Sequence, residues 1–325
     1  MESKTIAVHS ETFHADDAMA VYLLQHTKEF KNAKIVRTRK QEIIEKCDAV
    51  ADVGCVYDHN LRRYDHHQQG YDVKFPGSQV LCASAGLVYI HYGREVIQNL
   101  ATELELSIGE ELDFVYNAMY FNMIQEIDGI DNGVPRVTSN QKKRYSISSD
   151  ITSRIAMLNP SWNDPNPEPD KQFIKAIQLI REEFESLLKY IIKFWLDGFP
   201  SFRKAFETRF DYDKSGKIIY LGKNKFVDFY LSQVNDDLST LFIIYINDRD
   251  MYSVKTLSYP NQPFRSRKLL PFAGKSPDLI TEQTGIKDVV FSHKAGFLTV
   301  LKTEESAHKF ASFAVDYAEE EKEQA

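Results

Sequence analysis

Cysteine is scarce in this 325-residue chain, which carries only Cys47, Cys55 and Cys82. An odd number with no Cys-x-x-Cys pair offers neither a disulfide framework nor a thiolate zinc site, and fits a reducing compartment. Basic excess is missing too. With 40 Lys and Arg against 47 Asp and Glu the formal charge is −7, so no broad positive field is available to capture duplex nucleic acid. No apolar run approaches the roughly 20 residues that span a bilayer. The opening Met-Glu-Ser-Lys has neither the apolar core of a signal peptide nor the Arg-rich face of a transit peptide. The expectation is a soluble cytoplasmic protein with no membrane partner, the nucleus remaining open as an address.

What is present is enough apolar material for two ordinary cores, at 43% hydrophobic and 12% aromatic residues. Strand and helix patterns alternate from the start: strands over residues 5–8, 33–38 and 49–53, with helices over 16–27 and 41–46 between them. Strands separated by helices imply right-handed crossovers and a largely parallel sheet, whose carboxyl ends collect ligands. Further helices are expected over 84–97, 110–128 and 172–196. Proline clusters in 159–170 mark a connection, where Trp162 is expected to pin the linker. Beyond Gly216 the texture turns to strands (217–221, 225–230, 241–247, 252–257, 288–292) with helices over 276–284 and 304–321. The fold class is therefore α/β: a mostly parallel N-terminal sheet flanked by helices, and a smaller α/β or α+β C-terminal domain. The expected division is 1–158, a connecting 159–215, and 216–325.

Strand ends carry the chemistry. His9, His14 and Asp16 follow the first strand, Asp52 closes the strand over 49–53, and Asp65-His66-His67 forms a third cluster. Two more carboxylates, Asp128 and Asp131, arrive at the end of the helix over 110–128. Imidazole and carboxylate without thiolate suit Mn²⁺, Mg²⁺, Fe²⁺ or Zn²⁺, and such a mixture is typical of two ions ~3.5–4 Å apart, with Asp52 the natural bridge. Taken singly each residue has a plainer reading: Asp16 and Asp17 favour a helix N-terminus, and His14 suits a surface. The order of the clusters along the chain is what points to one polynuclear site.

Phosphate would need cations away from the metals. Arg37 and Arg39 lie at a strand end, Arg63 precedes the tripeptide, Arg265, Arg267 and Lys268 share a loop, and His293 and Lys294 precede Ala295-Gly296, where a small residue lets backbone approach a phosphate. Each could equally be a solvated charge, and Lys142-Lys143-Arg144 reads as a loop charge run. Phe291, Phe297 and Tyr71 are either core residues or stacking platforms for nucleobases.

The motifs Val8-His-Ser-Glu-Thr-Phe-His-Ala-Asp-Asp17, Ala51-Asp-Val-Gly54, Arg63-Tyr-Asp-His-His-Gln68, Glu126-Ile-Asp-Gly-Ile-Asp-Asn-Gly133, Leu158-Asn-Pro-Ser-Trp-Asn163 and Ser292-His-Lys-Ala-Gly-Phe297 resemble the DHH phosphoesterase superfamily, and more closely its melanocyte-proliferating-gene exonuclease family. The resemblance spans nearly the whole chain. It implies a catalytic N-terminal domain and a substrate-binding C-terminal domain, with the active site in the cleft between them. It also implies two divalent ions, Mn²⁺ ahead of Mg²⁺ or Zn²⁺, held by His9, His14, Asp16, Asp52, His66 and Asp128. Asp65 would orient the imidazoles, and His67 would face the phosphate and protonate the leaving oxygen. Arg267 and His293 with Gly296 fall in stretches resembling the family's C-terminal motifs. Most superfamily members carry an aspartate where this chain has His14, which leaves the metal preference open. The activity implied is a 3′–5′ exonuclease on single-stranded RNA or short oligonucleotides. The alternatives are a small-molecule phosphoesterase for dinucleotides, cyclic nucleotides or pyrophosphate, a catalytically weak nucleotide-binding module, and a non-phosphate zinc hydrolase. Oligomeric state stays open.

Overall fold

The computed structural model describes residues 3–136, 145–224, 228–234, 236–260 and 262–317. The Lys142-Lys143-Arg144 run lies outside them, as do the last residues of the helix expected over 304–321. Among the described residues no helix is long and apolar enough to cross a membrane. The chain divides into two compact units, residues 1–193 and 194–325.

The first unit runs β1 Thr5–Val8, α1 Ala15–Gln25, β2 Lys34–Arg37, α2 Gln41–Ile44, β3 Ala49–Ala51, β4 Tyr57–Asp58, β5 Arg63–Tyr64, α3 Ser84–Glu103, α4 Leu112–Met119, α5 Gln125–Asp131, α6 Ile151–Ala156 and α7 Pro169–Tyr190. Its sheet has the order β2-β1-β3-β5-β4. The β2–β1, β1–β3 and β3–β5 pairs are parallel, and only the edge strand β4 runs antiparallel. Apolar side chains at successive positions of β1 and β3 are what a sheet covered on both faces requires. Ile6, Ala7, Val8, Ala49, Val50 and Ala51 are all buried. Ala7 and Val50 pack with Ile44 and Cys47 on the α2 side. α1 packs on α3 and α7, and every residue from Ala15 to Leu24 is buried.

Two local details differ from the expectation. The single helix over 110–128 is interrupted by a π-helical turn, Tyr120–Ile124, between α4 and α5. In a regular α-helix residues eight apart are about 80° out of line; the wider turn brings Tyr120 over Asp128, to which its hydroxyl donates at 2.9 Å. Trp162 does not pin the connection, being 96% exposed. Asn159 does so instead, accepting from the Phe13 backbone N–H at 2.9 Å and donating to its carbonyl at 2.8 Å.

The second unit runs α8 Asp197–Glu207, α9 Arg209–Tyr212, β6 Ile218–Tyr220, α10 Phe229–Ser232, β7 Phe242–Ile246, β8 Tyr252–Thr256, β9 Ser258–Tyr259, β10 Gln262–Ser266, α11 Pro277–Thr284, β11 Val289–Ser292, β12 Leu298–Leu301 and α12 Glu304–Asp316. Five strands pair in the order β11-β12-β8-β7-β6, antiparallel except for β6–β7. Phe242, Ile244, Val254 and Leu301 on one face pack with Ile280 of α11 and Phe310, Ala311 and Ala314 of α12. The strand expected over 225–230 is not formed where the chain is described, since Phe229–Ser232 is one helical turn. Adjacent Tyr230 and Leu231 are both buried, a burial pattern that a strand with one core face does not allow.

Candidate metal centre

Three parallel strands end at one place. β1 delivers His9, β3 delivers Asp52, and β5 delivers Asp65-His66-His67, while the turn into α1 brings His14, Asp16 and Asp17. Asp52 lies at the middle. Its Oδ2 is 3.2 Å from His9 Nε2, and its Oδ1 is 3.7 Å from both His66 Nε2 and His67 Nδ1. The residue is held at φ +55°, in the left-handed region, a strained backbone that points the carboxylate into the cluster.

Side-chain donors converge in three groups: His9, His14 and Asp52; Asp52, His66 and His67; Asp16, His66 and Asp131. Asp52 and His66 each belong to two of them, as a site for more than one ion requires. Asp17 also faces in, its Oδ2 3.3 Å from His9 Nε2. Asp52 Oδ1, Asp17 Oδ2 and His66 Nε2 are buried and make no hydrogen bond. Buried polar atoms are normally paired, so three orphans within one cluster of carboxylates and imidazoles fit bound cations.

Charge makes the same case. Burial, then repulsion from Asp131 and Asp52, pushes the Asp16 carboxyl well above the ordinary range. Burial lifts Asp17 to about 7. Burial opposes charge on His66, yet the neighbouring Asp131 and Asp52 carboxylates raise it to about 11. Burial likewise acts against the Asp52 carboxylate, but His66 and His9 hold it far below its usual value. Four carboxylates crowd two buried imidazoles, an excess of negative charge that divalent cations would neutralise.

Neighbouring groups settle which imidazole nitrogen faces the cluster. His66 Nδ1 lies 3.2 Å from Asn132 Oδ1; a proton there leaves Nε2 with its lone pair directed at Asp52 and Asp131. His9 Nδ1 lies 3.1 Å from the Ser10 carbonyl, and Arg39 Nη2 approaches the same nitrogen at 3.3 Å. Donation to Ser10 again frees Nε2. Asp65 is buried and holds His67 twice, through its backbone N–H at 3.0 Å and through Nδ1 at 2.7 Å. The Cys55 N–H fixes the other Asp65 oxygen at 2.7 Å. The His67 side chain is 56% exposed, at the open side of the cluster.

Asp16 and Asp128 share a second task at the N-terminus of α3. Ser84 and Ala85 donate their N–H groups to Asp16, at 3.0 and 2.7 Å. Ala83 and Gly86 donate theirs to Asp128 Oδ1, at 2.9 and 3.0 Å. Two carboxylates thus take all four of the N–H groups that a helix start leaves without partners. Each Asp16 oxygen keeps a lone pair for the cluster. Asp128, with Tyr120 on its other oxygen, stands outside the three donor groups, and Asp131 one turn later is the carboxylate beside His66, at 3.1 Å.

Arg39 lies beside the cluster at His9, and most of the other cations expected at phosphate make contacts within their own unit. Arg37 lies between Phe13 and Phe173, 5.5 and 4.9 Å from their ring centres, and pairs with Asp170 at 2.8 Å. Arg63 donates to the Leu61 and Cys47 carbonyls. In the second unit Arg267 is buried against Asp236 at 2.7 Å and also bonds Ser258 and Thr240. Lys268 donates to the Val315 carbonyl, and Arg265 lies over the Tyr259 ring. His293 Nδ1 accepts from the Ala295 N–H, and Gly296, at φ +69°, closes the turn by donating to the His293 carbonyl. Asp17, Asn132 and Tyr120 were not among the residues expected from sequence. Asp17 reads there as a helix-start acid, and Tyr120 gives no signal until the π-turn aligns it.

A family model described as "Uncharacterised protein family (UPF0160)", for MYG1 exonuclease proteins, matches residues 5–315. The chain belongs to the MYG1 family. It is similar to the MYG1 protein of Dictyostelium discoideum, 36% identical over 317 residues that cover 94% of this chain and 95% of the relative. It also resembles the proteins named MYG1 exonuclease in Mus musculus and Homo sapiens, 34% and 33% identical over 325 residues that cover 96% of this chain and 84% and 85% of theirs. The MYG1 family match takes in both units, so the donor cluster and the second sheet both lie within the family's extent.

Proposed function

We propose that the protein is a divalent-metal-dependent phosphodiesterase of the DHH type, acting as a 3′–5′ exonuclease on single-stranded RNA or short oligonucleotides. The observation that carries this reading is Asp52, whose two oxygens face separate imidazoles in a cluster with three unpaired buried polar atoms. The names of the mammalian relatives support a nuclease.

His9, His14, Asp16, Asp52, His66 and Asp131 would hold the ions, Mn²⁺ ahead of Mg²⁺ or Zn²⁺. When bound, such ions polarise a phosphoryl oxygen and make water acidic enough to serve as nucleophile. Asp65 fixes the His67 ring, and the exposed His67 Nε2 is free to hand a proton to the departing oxygen. Asn132 and Ser10 fix the ring orientations of His66 and His9. Arg39, whose Nη2 is 3.3 Å from His9 Nδ1, would support a phosphate at the cluster.

Incubation of the purified protein with Mn²⁺ and end-labelled single-stranded RNA, single-stranded DNA, dinucleotides and pyrophosphate tests the proposal. Shortening of RNA from its 3′ end with release of mononucleotides is expected. Release of orthophosphate from pyrophosphate, with RNA left intact, would replace it by a small-molecule phosphoesterase.

A further inference from the structure

The face of the second sheet opposite α11 and α12 carries a groove that the donor cluster does not use. Strand register explains its shape. Tyr245 of β7 pairs with Ser253 of β8, Ser253 with Val300 of β12, and Val300 with Phe291 of β11. These four residues make one row across four strands, large rings at its ends and small side chains between them. Three interstrand steps of about 4.8 Å set the aromatic ends about 14 Å apart. The resulting cavity has a volume of about 300 Å³, floored by Leu298 and Val300 and rimmed by Asn247, Asp248 and Arg249 from the β7–β8 turn. Phe291 is 46% exposed on an edge strand. Exposure on that scale leaves a ring face open for stacking.

We infer that this groove is a stacking site for the bases of a single-stranded oligonucleotide. The inference rests on the proposed phosphodiesterase reading and adds where the strand is held. Two ring faces with a low floor between them suit flat bases. The Arg249 guanidinium on the rim supplies a phosphate partner, while Asp248 beside it confines the backbone to the Arg249 side. The Asn247 side chain is tied into its own turn. Its Oδ1 accepts from the Arg249 and Met251 N–H groups at 2.9 and 3.2 Å, and its Nδ2 donates to Ser253 at 3.1 Å. Ring faces are the main contact the groove offers, so it is expected to show little preference among bases.

The test uses the full chain in EDTA, which halts hydrolysis, and fluorescence anisotropy with labelled 12-nucleotide RNAs of oligo-U and mixed sequence. Phe291→Ala and Tyr245→Leu, the second of which keeps apolar volume, each weaken binding about tenfold, within the range measured for base–aromatic stacking. Arg249→Ala lowers the salt dependence of binding by about one counterion. Mn²⁺ binding by calorimetry and the thermal unfolding midpoint stay at the wild-type values in all three. Loss of RNA binding in the variants, in a protein that hydrolyses none of the substrates, would support the groove while removing the hydrolase. Wild-type affinity in Phe291→Ala and Tyr245→Leu would overturn the inference. So would a preference above tenfold between the two RNAs, or a wild-type dimer that Phe291→Ala converts to monomer, since a second copy would then cover the groove.

Discussion

Replacing Asp128 with asparagine separates a brace from a ligand. Asp128 is fully buried, and its carboxyl is raised to about 7, chiefly by burial. Against an ordinary value of about 3.9, a lift of roughly three units corresponds to at most about 4 kcal/mol, at about 1.4 kcal/mol per unit. The sign follows from proton binding. The folded chain holds this proton more tightly than the unfolded chain, so the group's contribution falls as pH rises from about 4 to 7 and stays low above that. An amide keeps the acceptor for Ala83 and Gly86, offers an N–H to the Tyr120 oxygen, and carries no charge. Asp128→Asn should therefore gain in stability relative to the wild type as pH rises from 5 to 8, and equal or exceed it at pH 8, by urea or thermal unfolding. Asp128→Ala leaves two N–H groups and a phenol without a partner and should cost about 2–5 kcal/mol at either pH. Mn²⁺ affinity by calorimetry should be unchanged in Asp128→Asn, because Asp131 is the carboxylate beside His66. A large loss of Mn²⁺ affinity in Asp128→Asn, or its destabilisation at pH 8, would refute the reasoning.

Other expectations follow from single contacts. At Gly86 a Cβ would stand 2.6 Å from Asp128 Oδ1 and 2.8 Å from its Cγ, so Gly86→Ala should lower stability by about 1–3 kcal/mol through overpacking, read by thermal unfolding. His67→Ala should keep bound metal by elemental analysis and lose at least about a hundredfold in kcat, the usual worth of a positioned acid; a near-normal rate removes His67 from the chemistry. His59 and His91 stack with ring centres 3.7 Å apart, and burial followed by repulsion from His59 pulls His91 down to about 4. The neutral ring is the one that folding favours, so its contribution is complete above about pH 6.5 and drains as pH falls toward 4. His91→Asn should flatten that part of the acid unfolding curve.

The clusters at His9, Asp52 and Asp65 were legible because parallel strands bring their carboxyl ends to one edge, a rule that needs only the strand pattern. The short strands β4 and β5 were harder to read, since two residues each carry no periodicity, yet β5 is what places the tripeptide beside Asp52. The roles of the arginines were not legible either. Whether Arg37 meets a phosphate or lies between Phe13 and Phe173 depends on α7, more than 130 positions away in the chain. The exchange of places between Asp128 and Asp131 has the same origin. Both acids sit near a helix end, and only the π-turn at Tyr120–Ile124 and the four N–H groups of α3 decide which one braces and which one faces His66.

The central claim is that Asp52 joins two cation sites. Calorimetric titration of Mn²⁺ into the metal-stripped protein tests it most directly when wild type and Asp52→Asn are run together, because asparagine tolerates the left-handed backbone at this position and removes only the charge. Two ions per chain are expected for the wild type, with at most one weakly held ion for Asp52→Asn. Equal stoichiometry and affinity in the two proteins would contradict it.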